Sequence, residues 1–244
     1  MAQLTLRSVP LESPRGKPLF QPVRLAPRLE SLRGKHLLLL DNSQVKPEAF
    51  NYGAFFDQLE QDLLQQGAGK VTRFFHNLLR ENLESVKGLA PRIRETGADA
   101  VVFAMCHAGV TTPSVTLAVH LERAGIPTAV ICTSLGYGVG IITAQSYAPG
   151  LPLIQARPTR NAPQQEAASA ARRLLDSVTF ALTAPVQELR RRAEQALAER
   201  AGISLDQDLP RVAVRRETPK LRRAVTVETD PSGLDEQLYD YCCR

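Results

Sequence analysis

Ala98-Asp-Ala-Val-Val-Phe-Ala-Met-Cys-His-Ala-Gly-Val-Thr-Thr-Pro-Ser114 is the stretch that decides how this chain is read. Ala100–Ala104 lies in a short apolar run without polar alternation, the pattern of a strand buried on both faces. Thr112-Pro113 then reads as a helix start, because threonine caps free amides and proline loses nothing at the first helical position. Cys106 and His107 fall between the two, at the carboxyl end of the strand.

The same alternation continues in both directions. Upstream, Lys35–Asp41 is a buried strand. Phe50–Gln66 has helical spacing at Phe55, Leu59 and Leu63 and is closed by Gly67. Lys70–His76 is a second strand, and Glu84–Thr96 is a helix ending at Gly97, with Pro91 inside it. Downstream, the Thr112 helix runs to Ala124 and stops at Gly125, and Thr128–Thr133 is a fourth strand. Gly138–Tyr147 is a helix and Leu153–Arg157 a fifth strand between Pro152 and Pro158. Gln164–Leu182 and Pro185–Ala201 are helices broken at Thr183-Ala-Pro185. Strands and helices alternating at this spacing predict an α/β fold of the doubly wound (Rossmann/flavodoxin-like) type, a parallel sheet with helices on both faces.

This domain is expected over residues 34–202. Before it, residues 1–33 carry Pro10, Pro14, Pro18, Pro22 and Pro27, a recurrence that excludes a helix and predicts an extended arm. After it, residues 203–244 are polar, carry Pro210, Pro219 and Pro231, and read as an extended charged tail. From Pro185 to Arg223 there are ten Lys/Arg against six Asp/Glu, a net of +4; from Ala224 to Arg244 there is one Arg against five Asp/Glu, a net of −4. Such segments can pair within the molecule or with a neighbouring subunit, or simply be solvated.

Composition narrows the function classes. With 244 residues, 43% of them hydrophobic, the chain can build a core without disulfides or metals, since a domain of ~150 residues already buries roughly two thirds of its unfolded surface. Tryptophan is absent and no nucleic-acid module appears, so a base-stacking surface is not expected. No apolar run approaches a membrane span and the amino terminus lacks the apolar core of a secretory signal. The four cysteines, Cys106, Cys132, Cys242 and Cys243, do not form a secreted disulfide framework. These features predict a cytoplasmic protein with reduced thiols.

In open parallel sheets ligands bind beyond the carboxyl ends of the strands, which selects Asp41-Asn42, Cys106-His107, Thr133-Ser134 and Arg157. A cysteine beside a helix amino terminus can be drawn toward the thiolate by the unpaired amides there; it can equally be a small buried residue. His107 is a charge partner or proton donor, or an imidazole bonded to loop backbone. Adjacent strand residues point to opposite sides, so either Cys106 or His107 faces the crevice. Gly109, Thr111 and Thr112, with the first amides of the helix, are expected to hold anionic substrate oxygens. Asp41 and Asn42 supply a carboxylate and an amide, or serve as turn residues.

Cys132 lies inside a strand and reads as core; His120 and His36 carry no assigned role. No second pair of Cys or His has ligand spacing, so no metal is expected. Gly136-Tyr-Gly-Val-Gly140 reads as a tight turn into the next helix or as a close backbone approach to an anion, and lacks the rest of a dinucleotide fingerprint. Cys242-Cys243, vicinal at the chain end, suit a thiol–disulfide relay into a neighbouring site, or an inert tail.

Leu25-Ala-Pro-Arg-Leu-Glu-Ser-Leu-Arg-Gly-Lys35 and Leu37-Leu-Leu-Leu-Asp-Asn-Ser43 resemble the opening of the UGSC-type selenoprotein family and its cysteine homologues. Gly97-Ala-Asp-Ala-Val-Val-Phe103 and Leu121-Glu-Arg-Ala-Gly-Ile-Pro-Thr128 resemble the segment around that family's selenocysteine, and are similar to the selenoprotein B subunits of glycine, betaine and sarcosine reductases. The resemblance covers about residues 20–185. It implies a parallel α/β fold with a selenol or thiol at this strand end, attacking a carbon that bears a leaving group, the adduct being resolved by another thiol. Counting back from Gly125, the family's selenocysteine falls on His107 and its following Gly and Cys on Ala108 and Val110; Cys106 stands one position early.

The expected function is therefore an enzyme or enzyme subunit performing thiol-dependent cleavage of a carbon–heteroatom bond in a small anionic substrate. Cys106 is the nucleophile, His107 the proton donor and Asp41 the orienting group. No cofactor is expected beyond an external thiol or disulfide reductant. The expected assembly is a homo- or hetero-oligomer with a homologous subunit. The alternative is a non-catalytic or His-based partner subunit of an active homologue.

Overall fold

Leu37, Leu38, Leu39 and Leu40 are all buried, which a strand achieves only inside a sheet covered on both faces. The computed structural model describes residues 23–42, 52–78, 83–157 and 162–201, all of which fall in one unit. Five strands, β1 (His36–Asp41), β2 (Lys70–Phe75), β3 (Ala100–Cys106), β4 (Thr128–Thr133) and β5 (Leu153–Ala156), form one sheet in the order β2-β1-β3-β4-β5. Every pairing is parallel. Six helices accompany them among the described residues: α1 (Tyr52–Gln65), α2 (Leu83–Arg94), α3 (Ala108–Arg123), α4 (Ser134–Tyr147), α5 (Gln164–Thr183) and α6 (Val186–Ala201).

Alternate side chains of the central strands feed two cores. Leu38, Leu40, Val101, Phe103 and Val130 join α2, α3 and α4 on one face. Leu37, Leu39, Val102 and Ile131 join α1 and α5 on the other. The doubly wound α/β architecture read from the sequence is thus the observed one, and the strand limits differ from those expected by at most two residues. Gly97 and Gly125 follow α2 and α3 at φ 69° and 86°, a left-handed backbone that favours glycine and lets each helix stop there. The strand order reverses between β1 and β3, so the switch point lies between Asp41-Asn42 and Cys106.

One irregularity matters for that point. Phe103 pairs with Val130 and Cys106 with Cys132, so three steps on β3 match two on β4. This is a β-bulge, which re-aims the side chains after it. Ala104 and Met105 both belong to the α1/α5 core, and Cys106 consequently returns to the α3 side with Phe103. The Ala104–Met105 peptide within the bulge is cis.

Two helices begin a full turn earlier than the sequence predicts. The helix assigned to Thr112-Pro113 starts at Ala108, with His107 as its N-cap. Pro113 sits in its second turn, where the only intrahelical bond lost is the one that Gly109 would have accepted. The helix assigned to Gly138 starts at Ser134, so Gly136–Gly140 lies within it rather than in a turn. Its N-cap is Thr133, whose hydroxyl accepts from the Gly136 amide at 3.4 Å.

Residues 23–33 run without a helix along the domain, burying Val23, Leu25, Ala26 and Leu32. They are fastened by one buried ion pair. Glu122, near the end of α3, takes the Ala26 amide (2.6 Å), the Thr128 amide and hydroxyl (2.7 Å each) and the Arg28 guanidinium. Arg28 also donates to the Ala26 and Thr128 carbonyls at 3.0 and 3.4 Å. Burial pushes the Glu122 carboxyl above its ordinary value, with Arg28 and the donated hydrogen bonds opposing. The rest of the proposed arm (1–22) and the tail (203–244) lie outside the described residues.

Candidate active site at the end of the central strand

Cys106 ends β3 and is fully buried. Asn42, the residue after β1, reaches across the switch point. Its Nδ2 donates to Cys106 Sγ at 3.2 Å and to Ser114 Oγ, on the inner face of α3, at 3.0 Å. Asn42 is 1% exposed, and its Oδ1 has no hydrogen-bond partner among the described residues. Burial pushes the Cys106 thiol up, but hydrogen bonds from Cys132, Ser114 and Asn42 together outweigh it and hold the thiol below its ordinary value. Cys132 is driven the other way, well above the ordinary value, by its hydrogen bond to Cys106, by burial and by Cys106's charge. The two thiols are thus driven apart, with ionisation favoured on Cys106 over Cys132.

His107 has extended backbone (φ −85°, ψ 168°) and is half-buried. Its carbonyl accepts from the Val110 and Thr111 amides at 3.0 and 2.9 Å and from the Thr111 hydroxyl at 2.7 Å. Thr111, fully buried, therefore serves α3 itself. Gly109 and Thr112 are exposed. Thr112 is not the helix cap the sequence suggests: it lies in the second turn, and its carbonyl accepts from Thr116.

The remaining candidates occupy the same end of the sheet. Asp41 is half-buried, and its carbonyl accepts from the His76 amide at 2.9 Å. Thr133 is buried and donates to the Cys106 carbonyl at 3.4 Å, so it ties β4 to the end of β3. Ser134 is exposed and accepts from Gln155 at 3.2 Å. Arg157 is exposed after the edge strand β5, two strands from β3. Asn42 and Cys106 are thus in direct contact, Thr133 touches Cys106 only through its carbonyl, and Ser134 and Arg157 lie apart. Cys242 and Cys243 lie outside the described residues.

Three contributors escaped the sequence reading. Ser114 was hidden by the misplaced helix start; with the start at Ala108, the buried Val110, Ser114, Leu117 and Leu121 follow the helical period and mark the inner face. Cys132 is core, as its place inside a strand predicts, but the bulge puts it opposite Cys106. Gly136 has a packing role: a Cβ there would lie closer to the Cys106 carbonyl oxygen than real Cβ atoms come, and 2.6 Å from Thr111 Oγ1. The glycine run lets α4 press its backbone onto the end of β3.

A groove of about 590 Å³ opens elsewhere, between β5, α4, α5 and α6, with Tyr137, Ile141, Phe180, Arg191 and Arg192 in its wall. Cys106, Asn42 and Ser114 do not line it. Among the described residues no cluster of three or more His, Cys, Asp or Glu could hold a metal, and no helix is long and apolar enough to cross a membrane.

The sequence model of the UGSC family matches residues 10–184. No curated protein matches the chain.

Proposed function

This chain belongs to the UGSC family, and on that premise we propose that it is an enzyme or enzyme subunit using Cys106 as a nucleophile in thiol-dependent cleavage of a carbon–heteroatom bond. The observation that carries the reading is the treatment of one sulfur. A fully buried thiol should be harder to ionise than a free one, yet Asn42, Ser114 and Cys132 hold Cys106 in the opposite direction. A nucleophile gains from that, because the thiolate is the reactive species.

In this reading Cys106 attacks a carbon bearing the leaving group, and His107, next in the chain, donates the proton that the departing heteroatom requires. Asp41, at the end of the adjacent strand, orients the histidine or substrate. The early amides of α3, with Gly109 and Thr112 exposed beside them, favour a small anionic substrate. Thr133 holds the strand ends in register, while Ser134 and Arg157 supply an outer polar rim. Because Cys106 is fully buried, substrate entry in this reading requires the turn at His107–Gly109 to move. The reading also includes turnover by an external thiol or disulfide reductant, with Cys242-Cys243 as a relay. It includes assembly with a homologous subunit, checked by light scattering of the purified chain.

Iodoacetate tests the central claim, being a small carboxylate with a leaving group on carbon. Stoichiometric labelling of Cys106 in the native chain, faster than with neutral iodoacetamide, is the expected result. Label confined to Cys242 or Cys243 would sink it. One observation favours a second reading, a His-based site or partner subunit: His107 is accessible where Cys106 is not, and the resemblance puts the family's selenocysteine at His107. In that case Cys106→Ala retains activity and His107→Gln loses it.

A further inference from the structure

Cys106 and Cys132 are Cα partners on adjacent parallel strands. Paired residues in such strands are separated by roughly 4.8 Å, inside the roughly 4.4–6.8 Å that a disulfide spans. Their side chains point to the same face, since both belong to the α3 core, and each thiol shifts the other's ionisation. Both are reduced in this structure. The arrangement depends on the bulge: with regular pairing Cys106 would point into the α1/α5 core, through the sheet from Cys132. Beside the pair stands Asn42 Oδ1, an acceptor without a partner among the described residues, on the amide that already contacts the Cys106 sulfur.

We propose that Cys106 and Cys132 are a resident dithiol–disulfide couple, oxidised by a small hydroperoxide that binds against Asn42. Cys106 is the attacking sulfur and Cys132 the resolving one. The Cys106 thiolate attacks the terminal oxygen of the peroxide; the O–O bond breaks, an S–O bond forms, and the leaving alkoxide or hydroxide takes a proton from solvent. Cys132 sulfur then attacks Cys106 sulfur. The S–O bond breaks, the S–S bond forms, and hydroxide leaves as water with the proton from Cys132. Two electrons pass from the two thiols to the peroxide, and an external dithiol reverses the change. The inference rests on the proposed function only in taking Cys106 as the reactive sulfur. It adds that oxidation removes this nucleophile, so that peroxide switches the thiol chemistry off.

The test uses the full chain with Cys242→Ser and Cys243→Ser, so that the terminal thiols cannot exchange. The reduced protein is exposed to hydrogen peroxide, tagged with iodoacetamide in denaturant, and mapped without reduction. The expected map joins the Cys106 peptide to the Cys132 peptide, with loss of both tags and recovery of both after dithiothreitol. Two taggable thiols, or Cys106 oxidised alone with Cys132 free, would overturn the proposal. A Cys132→Ser change on that background adds a second readout. Its Cys106 sulfenic acid should accumulate and be trapped by dimedone at least tenfold more than in the Cys132 parent, and equal trapping would overturn resolution by Cys132. Iodoacetate labelling of Cys106 without a cross-link defeats this inference and leaves the proposed function standing. A cross-link in a chain whose Cys106 does not label defeats the proposed function alone.

Discussion

Two buried polar clusters sit at opposite ends of this sheet, and they differ in completeness. At the amino end of β4, both Glu122 oxygens receive two donors, and Arg28 spends its own donors on Glu122 and on the Ala26 and Thr128 carbonyls. At the carboxyl ends, Asn42 donates to Cys106 and Ser114 but leaves Oδ1 without a partner among the described residues. A satisfied cluster fastens the chain; one that keeps an unused acceptor beside an ionisable sulfur is prepared for something else. Two of the segments that carry the family resemblance, Leu25–Lys35 and Leu121–Thr128, meet at the fastened end, while a third, Leu37–Ser43, brings Asn42 to the other.

The largest expected effect breaks the fastened end. Arg28→Ala or Glu122→Ala leaves a buried charge without its partner and should cost about 3–5 kcal/mol in denaturant unfolding. Replacing both by apolar residues of similar volume should recover much of that loss. Silent single changes would mean that the two ends do not differ in how firmly they hold the fold.

Gly136→Ala acts at the other end through packing alone. Its Cβ meets the Cys106 carbonyl and Thr111, and backbone cannot yield as a flexible side chain does, so we expect a loss of about 1–3 kcal/mol. Gly140→Ala, whose Cβ would meet side-chain atoms of Leu153 and Thr111 at 3.2 and 3.3 Å, should cost less.

Asn42→Ala sharpens the electrostatic half of the comparison. Because the folded thiol ionises below its ordinary value, native Cys106 alkylation should rise with pH and level off earlier than in the denatured chain. Removing the Asn42 donor moves that midpoint up. A shift of about one pH unit corresponds to about 1.4 kcal/mol, and slows labelling near neutrality up to tenfold. An unchanged midpoint would mean that Asn42 does not tune the sulfur.

The smallest effect is expected at Thr112. As an exposed residue in the second turn it should tolerate alanine within about 0.5 kcal/mol, whereas loss of a true N-cap would cost about 1 kcal/mol. Thermal unfolding of Thr112→Ala separates the two.

Much of this was legible along the chain. The apolar runs ending at Asp41, Cys106 and Thr133, and the glycine stops after the helices, are local signals, and the sheet followed from their alternation. The start of α3 was not legible, because Thr112-Pro113 carries the local signature of a first turn. What overrides it is the packing of Val110, Ser114 and Leu117 from a helix already begun at Ala108. The glycine run after β4 looked like turn chemistry because its actual purpose, contact with the Cys106 carbonyl, involves a residue thirty positions away.

That a cysteine stands at the end of a buried parallel strand is therefore a property of the chain alone, since strand limits and their alternation with helices follow from short-range periodicity. Which way that cysteine points was decided only by the tertiary structure. Side chains alternate along a strand, so the single extra residue at Ala104–Met105 reverses everything after it. A bulge exists only as a mismatch between two strands, so it appears only once β3 and β4 are paired. That pairing turns Cys106 toward α3, within reach of Asn42 and Ser114, and beside Cys132.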